Sequence, residues 1–355
     1  MTTEHLLIIR FSAIGDVAMT VPVIYSLAHQ YPNLRITVLS RPNMKVLFDN
    51  LAPNVGFMAA NIKDEYSGIR GLNKLYRRLL AKQFTAVADF HGVLRTHYLR
   101  LRFNMGNFKV EHIDKHRQGK RELTAEKNKK LIQQPTSFQN YADVLAKLGY
   151  PVKIDFKSIF PQEGGNLRLL PEKFSQRREF QQWIGIAPFA AHNGKMYPLE
   201  LINEVINKLI NNHPSCRIFL FGGGTKEKEQ INTIVEKHPI NCISVPEQLQ
   251  GMSQELILMS HLDCMVSMDS ANMHLASLTN TPVVSVWGAT HPYAGFLGWG
   301  QNPENIVQIN LNCRPCSIYG SKPCMRQDFA CMRNINPDTI TERVENVLKN
   351  RRKHC

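Results

Sequence analysis

Leu6-Leu-Ile-Ile-Arg-Phe-Ser-Ala-Ile-Gly-Asp16 is the stretch that decides the fold. Its apolar run from Leu6 to Phe11 reads as a strand and leads into a turn. Behind the turn Val17, Val21, Ile24, Leu27 and Ala28 recur at three- and four-residue steps, the period of a buried helix face. Arg35-Ile-Thr-Val-Leu39 then reads as a β-branched strand. Strand, helix and strand at this spacing form a βαβ unit, which places the strands in a parallel sheet. Phe84-Thr-Ala-Val-Ala88 predicts a further strand, ending at Asp89.

Residues 100–135 interrupt this alternation. They are rich in Lys, Arg, His and Gln, and predict a surface excursion with short helices. Pro161 to Pro171 has the Gly and Pro content of an interdomain linker. A second βα series follows, with strands at Trp183–Ala187, Arg217–Phe221, Cys264–Ser267 and Pro282–Val286, and helices over 198–211 and 270–278. An amphipathic helix from about Pro337 to Lys349 carries Ile340, Val344, Val347 and Leu348 before the basic end Arg351-Arg-Lys-His-Cys355. The expected fold class is therefore α/β, with two Rossmann-like domains whose parallel sheets face an interdomain cleft. The expected boundaries are 1–165, 175–335, and a C-terminal helix with basic tail over 336–355.

The composition fits two such domains: 355 residues, 43% hydrophobic and 20% charged. Lys and Arg total 43 against 29 Asp and Glu, a formal charge of +14, which favours anionic partners. No apolar run approaches the roughly 18–20 residues of a membrane span. Glu4 and His5 stand where a signal peptide has basic residues, and Arg10 and Asp16 break the apolar stretch, so a cytoplasmic location is expected. Cys216, Cys242 and Cys264 lie inside apolar segments and read as buried thiols.

Six segments could carry chemistry. In the first, Gly15 allows an unusual turn and Asp16 opens a helix, either as a cap or as a general base beyond the carboxyl end of the first strand. In Met268-Asp-Ser-Ala-Asn-Met-His274, free amides at a helix start would bind phosphate. Ser270 and Ala271 would donate, flanked by Asp269 and His274. Lys195, in a loop that ends at Pro198, could neutralise phosphate or stand as a solvated lysine. Phe221-Gly-Gly-Gly-Thr-Lys-Glu227 lets backbone approach a nucleotide, but lacks the spacing of a dinucleotide site or a P-loop. Cys313, Cys316, Cys324 and Cys331 offer four thiols in one loop; the spacing is too irregular for a zinc ribbon, and no metal is expected. Lys109 to Lys130 is basic without the interleaved aromatics of a nucleic-acid binder, which leaves an anionic lipid surface, a phosphorylated acceptor or a solvated face.

Three of these pieces in order resemble glycosyltransferase family 9, the lipopolysaccharide core heptosyltransferases. They are LLIIRFSAIGDVAMTVPVIYSL, GKMYPLELINEVINKL and SMDSANMHLASLTNTPVVSVWG, and the likeness runs from Leu6 to about Val347. The resemblance implies a GT-B architecture and an inverting, metal-independent transfer of heptose from ADP-heptose to a lipid-linked core oligosaccharide, with no cofactor. It places the general base on Asp16 and the diphosphate lysine on Lys195. Donor contacts fall on Gly15, Glu227 (or Glu229), Asp269, Ser270, Ala271 and His274. Ala271 stands where the family usually has glycine, and Ala190 and Ala191 stand where some relatives have threonines. Arg95 and Arg100 are candidates for the acceptor. With such an acceptor, the basic surface and the lack of a membrane span predict peripheral attachment at the inner face of the cytoplasmic membrane, an anionic surface, and no nucleic acid is expected. The alternatives are a GT-B enzyme or epimerase using another nucleotide sugar, and a basic nucleic-acid-binding module.

Overall fold

The computed structural model describes residues 4–174 and 177–352. The chain divides into two compact units, residues 1–117 with 135–156, and residues 118–134 with 157–355.

The first unit is built on a five-stranded parallel sheet. Its strands are β1 (His5–Ile9), β2 (Arg35–Ser40), β3 (Val55–Ala59), β4 (Ala86–Asp89) and β5 (Lys109–His112), in the order β3-β2-β1-β4-β5. Every residue of β1 is buried, as a central parallel strand covered on both faces must be. Leu7 and Ile9 pack with Leu75 and Leu79 of helix Gly68–Leu80 and with Leu99 and Phe103 of helix Leu94–Met105.

The second unit has six parallel strands: β6 (Trp183–Ala187), β7 (Arg217–Leu220), β8 (Cys242–Ser244), β9 (Cys264–Met268), β10 (Val283–Val286) and β11 (Ile306–Val307). Their order is β11-β10-β9-β6-β7-β8. In each sheet the chain runs outward one way and then the other. The order reverses between β1 and β4 and again between β6 and β9. Open α/β sheets bind ligands beyond the strand ends at such a reversal.

The division corrects the expected boundaries. Residues 118–134 leave the first unit and pack in the second, where Lys129 Nζ donates to the carbonyls of Cys313 and Pro315 at 2.9 and 3.0 Å. The Gly/Pro stretch after Pro161 is packed and does not act as a linker: a Cβ on Gly165 would lie 2.9 Å from Ile257. The terminal helix Pro337–Arg352 is part of the second unit, because Ile340, Val344, Val347 and Leu348 lie in its core. Of the expected tail, residues 353–355 lie outside the described residues. Strands β3, β5, β8 and β11 escape the sequence reading. All four are sheet edges, and Lys109-Val-Glu-His112 carries the charges by which edges resist pairing.

Candidate active site

Asp16 follows β1, on one side of the first reversal. It is the third residue of the short helix Ile14–Ala18, and its Oδ2 accepts the amide of Ala13 at 2.9 Å. The same oxygen lies 2.7 Å from Arg10 Nη2. Arg10, itself buried, donates from Nη1 to the Phe90 carbonyl at 2.7 Å, which ties the turn after β1 to the end of β4. Tyr141 stacks on Phe90 and donates to the Asp16 carbonyl. The Asp16 side chain is nevertheless 32% exposed, so a capping carboxylate still reaches solvent. Gly15 takes helical angles within this turn, so the unusual conformation expected there is not adopted; Ala13 supplies the extended residue at the helix entry.

Across the reversal, Asp89 ends β4 fully buried. Its Oδ1 accepts the amides of His91 and Gly92 at 2.8 and 2.9 Å, and its Oδ2 lies 3.1 Å from Arg100 Nε. Arg100 therefore holds this turn in shape. Arg95 makes no such pair among the described residues, and its charge adds to those that act on His91. Burial first, then Arg10 and Lys115, push the His91 pKa down to about 3. Burial likewise lowers the pKa of Lys115. His91 is thus neutral at neutral pH in the fold but takes up a proton below about 6.5 when unfolded. Acid therefore favours unfolding, increasingly so from pH 6.5 downward, with a slope approaching about 1.4 kcal/mol per pH unit for this group. His291, lowered to about 4 chiefly by burial, acts in the same direction. Denaturant melts between pH 7 and 5 should show this loss, and His91→Gln should make it shallower. An unchanged pH slope in that variant would refute the assignment.

Of the residues expected to contact the donor, Lys195, Asp269, Ser270 and Ala271 lie at the second reversal, whereas Gly15 lies in the first unit and Glu227 follows β7. Lys195 closes the 3-10 turn Asn193–Lys195 after β6, and Asp269 follows β9, the neighbouring strand. Lys195 Nζ lies 3.2 Å from Asp269 Oδ2, and Thr290 donates to the same oxygen at 2.8 Å. Both charged side chains are largely buried, 14% and 7% exposed, so Lys195 is no solvated surface lysine. Tyr197 anchors the loop: its hydroxyl donates to the Ile335 carbonyl at 2.7 Å and its amide to Met268 Sδ. Ser270 is the extended residue before helix Ala271–Leu278, and no side chain caps that end. The first-turn amides of a helix have no acceptor within it, and here they open beside a lysine. His274 sits buried one turn on. Glu227 folds back on the glycine-rich turn after β7, its Oε2 accepting the Gly223 amide at 2.7 Å.

Several contributors were not picked out from sequence. Arg10 and Thr290 follow central strands at the same ends as Asp16 and Asp269, and that position was the available signal. Gly320 had none. It takes φ +79°, and a Cβ there would lie 2.6 Å from Cγ and Cδ of Lys195. Gly320→Ala should displace that side chain and weaken binding of a nucleotide diphosphate about tenfold, as read by calorimetry, and lower stability by about 1–3 kcal/mol, because alanine is strained at positive φ. Unaltered affinity would show that the lysine tolerates the displacement.

The four clustered cysteines line one cavity with Met325 and Phe329. Burial raises the Cys316 thiol and pushes that of Cys331 up to about 11. Among the described residues no group of three or more His, Cys, Asp or Glu side chains is arranged to hold a metal ion.

Two doubly wound sheets, each with polar residues gathered at its reversal point, define an α/β chain whose candidate ligand sites lie beyond the strand ends. The family model of glycosyltransferase family 9 (heptosyltransferase) matches residues 72–324, and the chain belongs to that family. It is a glycosyltransferase. The lipopolysaccharide core heptosyltransferase OpsX of Haemophilus influenzae is 24% identical over 316 residues, covering 86% of this chain and 84% of that one. Among solved structures, the E. coli ADP-heptose LPS heptosyltransferase II matches with a TM-score of 0.70 at 18% identity, over 98% of this chain and 99% of that one. The E. coli heptosyltransferase WaaC with ADP matches with a TM-score of 0.67 at 16% identity, over 97% and 99%. The GT-B class anticipated from the sequence is the fold class of this chain. Among the described residues no helix is long and apolar enough to cross a membrane.

Proposed function

We propose that this protein transfers heptose, or a related sugar, from ADP-heptose to a lipid-linked lipopolysaccharide core acceptor at the inner face of the cytoplasmic membrane, with inversion and without a metal. The observation that carries the reading is the buried Lys195–Asp269 pair beside an uncapped helix start at the β6/β9 reversal, in a chain of this family. The names of the relatives, one a core heptosyltransferase and two E. coli enzymes described with ADP or ADP-heptose, favour that donor and acceptor.

The chemistry is a single displacement. The acceptor oxygen bonds to the anomeric carbon, its proton passes to Asp16, and the bond from that carbon to the diphosphate oxygen breaks. The contacts with Arg10 and the Ala13 amide fix where the Asp16 carboxylate points. The departing ADP gathers negative charge, which the Lys195 ammonium and the amides near Ser270 and Ala271 stabilise; fixed dipoles and cations aimed at a developing charge need no reorganisation. Glu227 and His274 complete the donor contacts.

The test is mass gain by a truncated core acceptor incubated with the protein and ADP-heptose, in excess EDTA, together with thermal shifts by ADP, UDP and GDP. Addition of one heptose and preferential stabilisation by ADP are expected. No transfer with ADP-heptose, or stabilisation by UDP or GDP in place of ADP, would overturn the donor. Dependence on added divalent metal would overturn the metal-free mechanism.

A further inference from the structure

Helices Gly68–Leu80 and Leu94–Met105 of the first unit present large aliphatic side chains to solvent. Leu94 is 89% exposed, Met105 74% and Leu101 51%. At 100° per residue these three fall within an arc of about 40°, so they form one stripe along the helix. Thr96, Leu99 and Phe103, on the other side, are buried in the core. The stripe is therefore a second apolar face on a helix whose first is already satisfied. Ile69, 67% exposed, adds to it from the neighbouring helix, and Leu80 is 38% exposed. Tyr98 donates to Asn73, and the Arg102 guanidinium lies over the Tyr76 ring. These contacts run the two helices in the same direction, with Ile69 toward the Leu94 end and Leu80 toward the Met105 end.

Charge settles what such a face meets. The first helix carries four cations and the second three, of which Lys74 pairs with Glu65 and Arg100 with Asp89, and neither helix contains an Asp or Glu. Arg70 and Arg77 are exposed and make no ion pair among the described residues. Aliphatic side chains flanked by long cationic stems suit an interfacial surface. The apolar ends enter the acyl boundary while the guanidinium and ammonium groups stay among anionic head groups. A nucleic-acid surface would call for exposed rings to stack on bases, and the exposed apolar residues here are all aliphatic.

We propose that these two helices form the face by which the first unit docks on an anionic lipid bilayer. The proposal rests on the reading that the acceptor is lipid-linked, and it names the surface that brings the enzyme to that acceptor. Flotation of the full chain with phosphatidylcholine vesicles, with and without phosphatidylglycerol, measures it directly and needs no sugar. Binding should require phosphatidylglycerol and fall at least about tenfold in the combined variant Leu94→Glu, Leu101→Glu, Met105→Glu. Because those side chains project into solvent, the variant should keep its melting temperature and its transfer to a water-soluble acceptor, and lose transfer to acceptor embedded in vesicles. Arg70→Glu with Arg77→Glu should lose binding and spare soluble transfer likewise. Flotation of the triple variant as well as the parent, or a parent that ignores vesicles but retains duplex DNA or a protein partner on this face, would overturn the proposal. Absence of all sugar transfer with the vesicle difference intact would remove the donor reading and support the docking face.

Discussion

Asp16→Asn should leave the protein folded and able to bind ADP while slowing sugar transfer by about 10²- to 10⁴-fold, the range expected for loss of a general base. The substitution is chosen for what it keeps. Asp16 Oδ2 accepts the Ala13 amide at 2.9 Å and meets Arg10 at 2.7 Å, and the asparagine carbonyl can occupy the same place. Arg10 still has the Phe90 carbonyl, so the tie between the two strand ends survives. What vanishes is the negative charge and the capacity to take up a proton. The fall should therefore lie in kcat, with little change in the apparent affinity for donor. Asp16→Ala would add the loss of the cap, about 1 kcal/mol, and would confuse the two effects. Near-parental transfer by the asparagine variant, with a large loss in His91→Gln, would move the base from the β1 turn to the β4 turn.

The βαβ opening and the second βα series were legible because buried parallel strands are continuous apolar runs. Leu6–Ile9, Trp183–Ala187 and Cys264–Met268 are all such runs, and all are central. The edges were not. Lys109–His112 and Val55–Ala59 are partly exposed and carry charge or glycine, which erases the pattern. Asp16, Lys195 and Asp269 were legible because each follows a recognisable strand. Their partners depended on which strands lie side by side, and no sequence period records that β1 neighbours β4 or that β6 neighbours β9. Arg100 shows the cost of that gap. The sequence offers it as a cation for an acceptor, and only the sheet order brings it to the buried Asp89, with which it pairs. The attachment of 118–134 to the second unit was hidden for the same reason, since Lys129 binds carbonyls more than 180 positions away.

Lys195→Met should have the largest effect on the donor side, and it should act in two separable ways. Removing the ammonium leaves Asp269, 5% exposed, with Thr290 and without its cation. Breaking a buried pair by deleting one partner costs about 3–5 kcal/mol, so the single variant should melt well below the parent. It should also lose about 100-fold in affinity for ADP, near 2.7 kcal/mol, the scale of a charge-assisted contact to diphosphate. The double variant Lys195→Met with Asp269→Asn separates these effects. Its neutral amide can still accept from Thr290, so most of the stability should return. If the lysine binds phosphate, ADP affinity should stay low in spite of that recovery, and titration calorimetry on the two proteins would show it. Should ADP binding return together with the melting temperature, Lys195 would be the counter-ion of Asp269 and nothing more. The diphosphate would then rest on the helix amides alone, and removing one cation from the cradle would leave the leaving group as well stabilised as before.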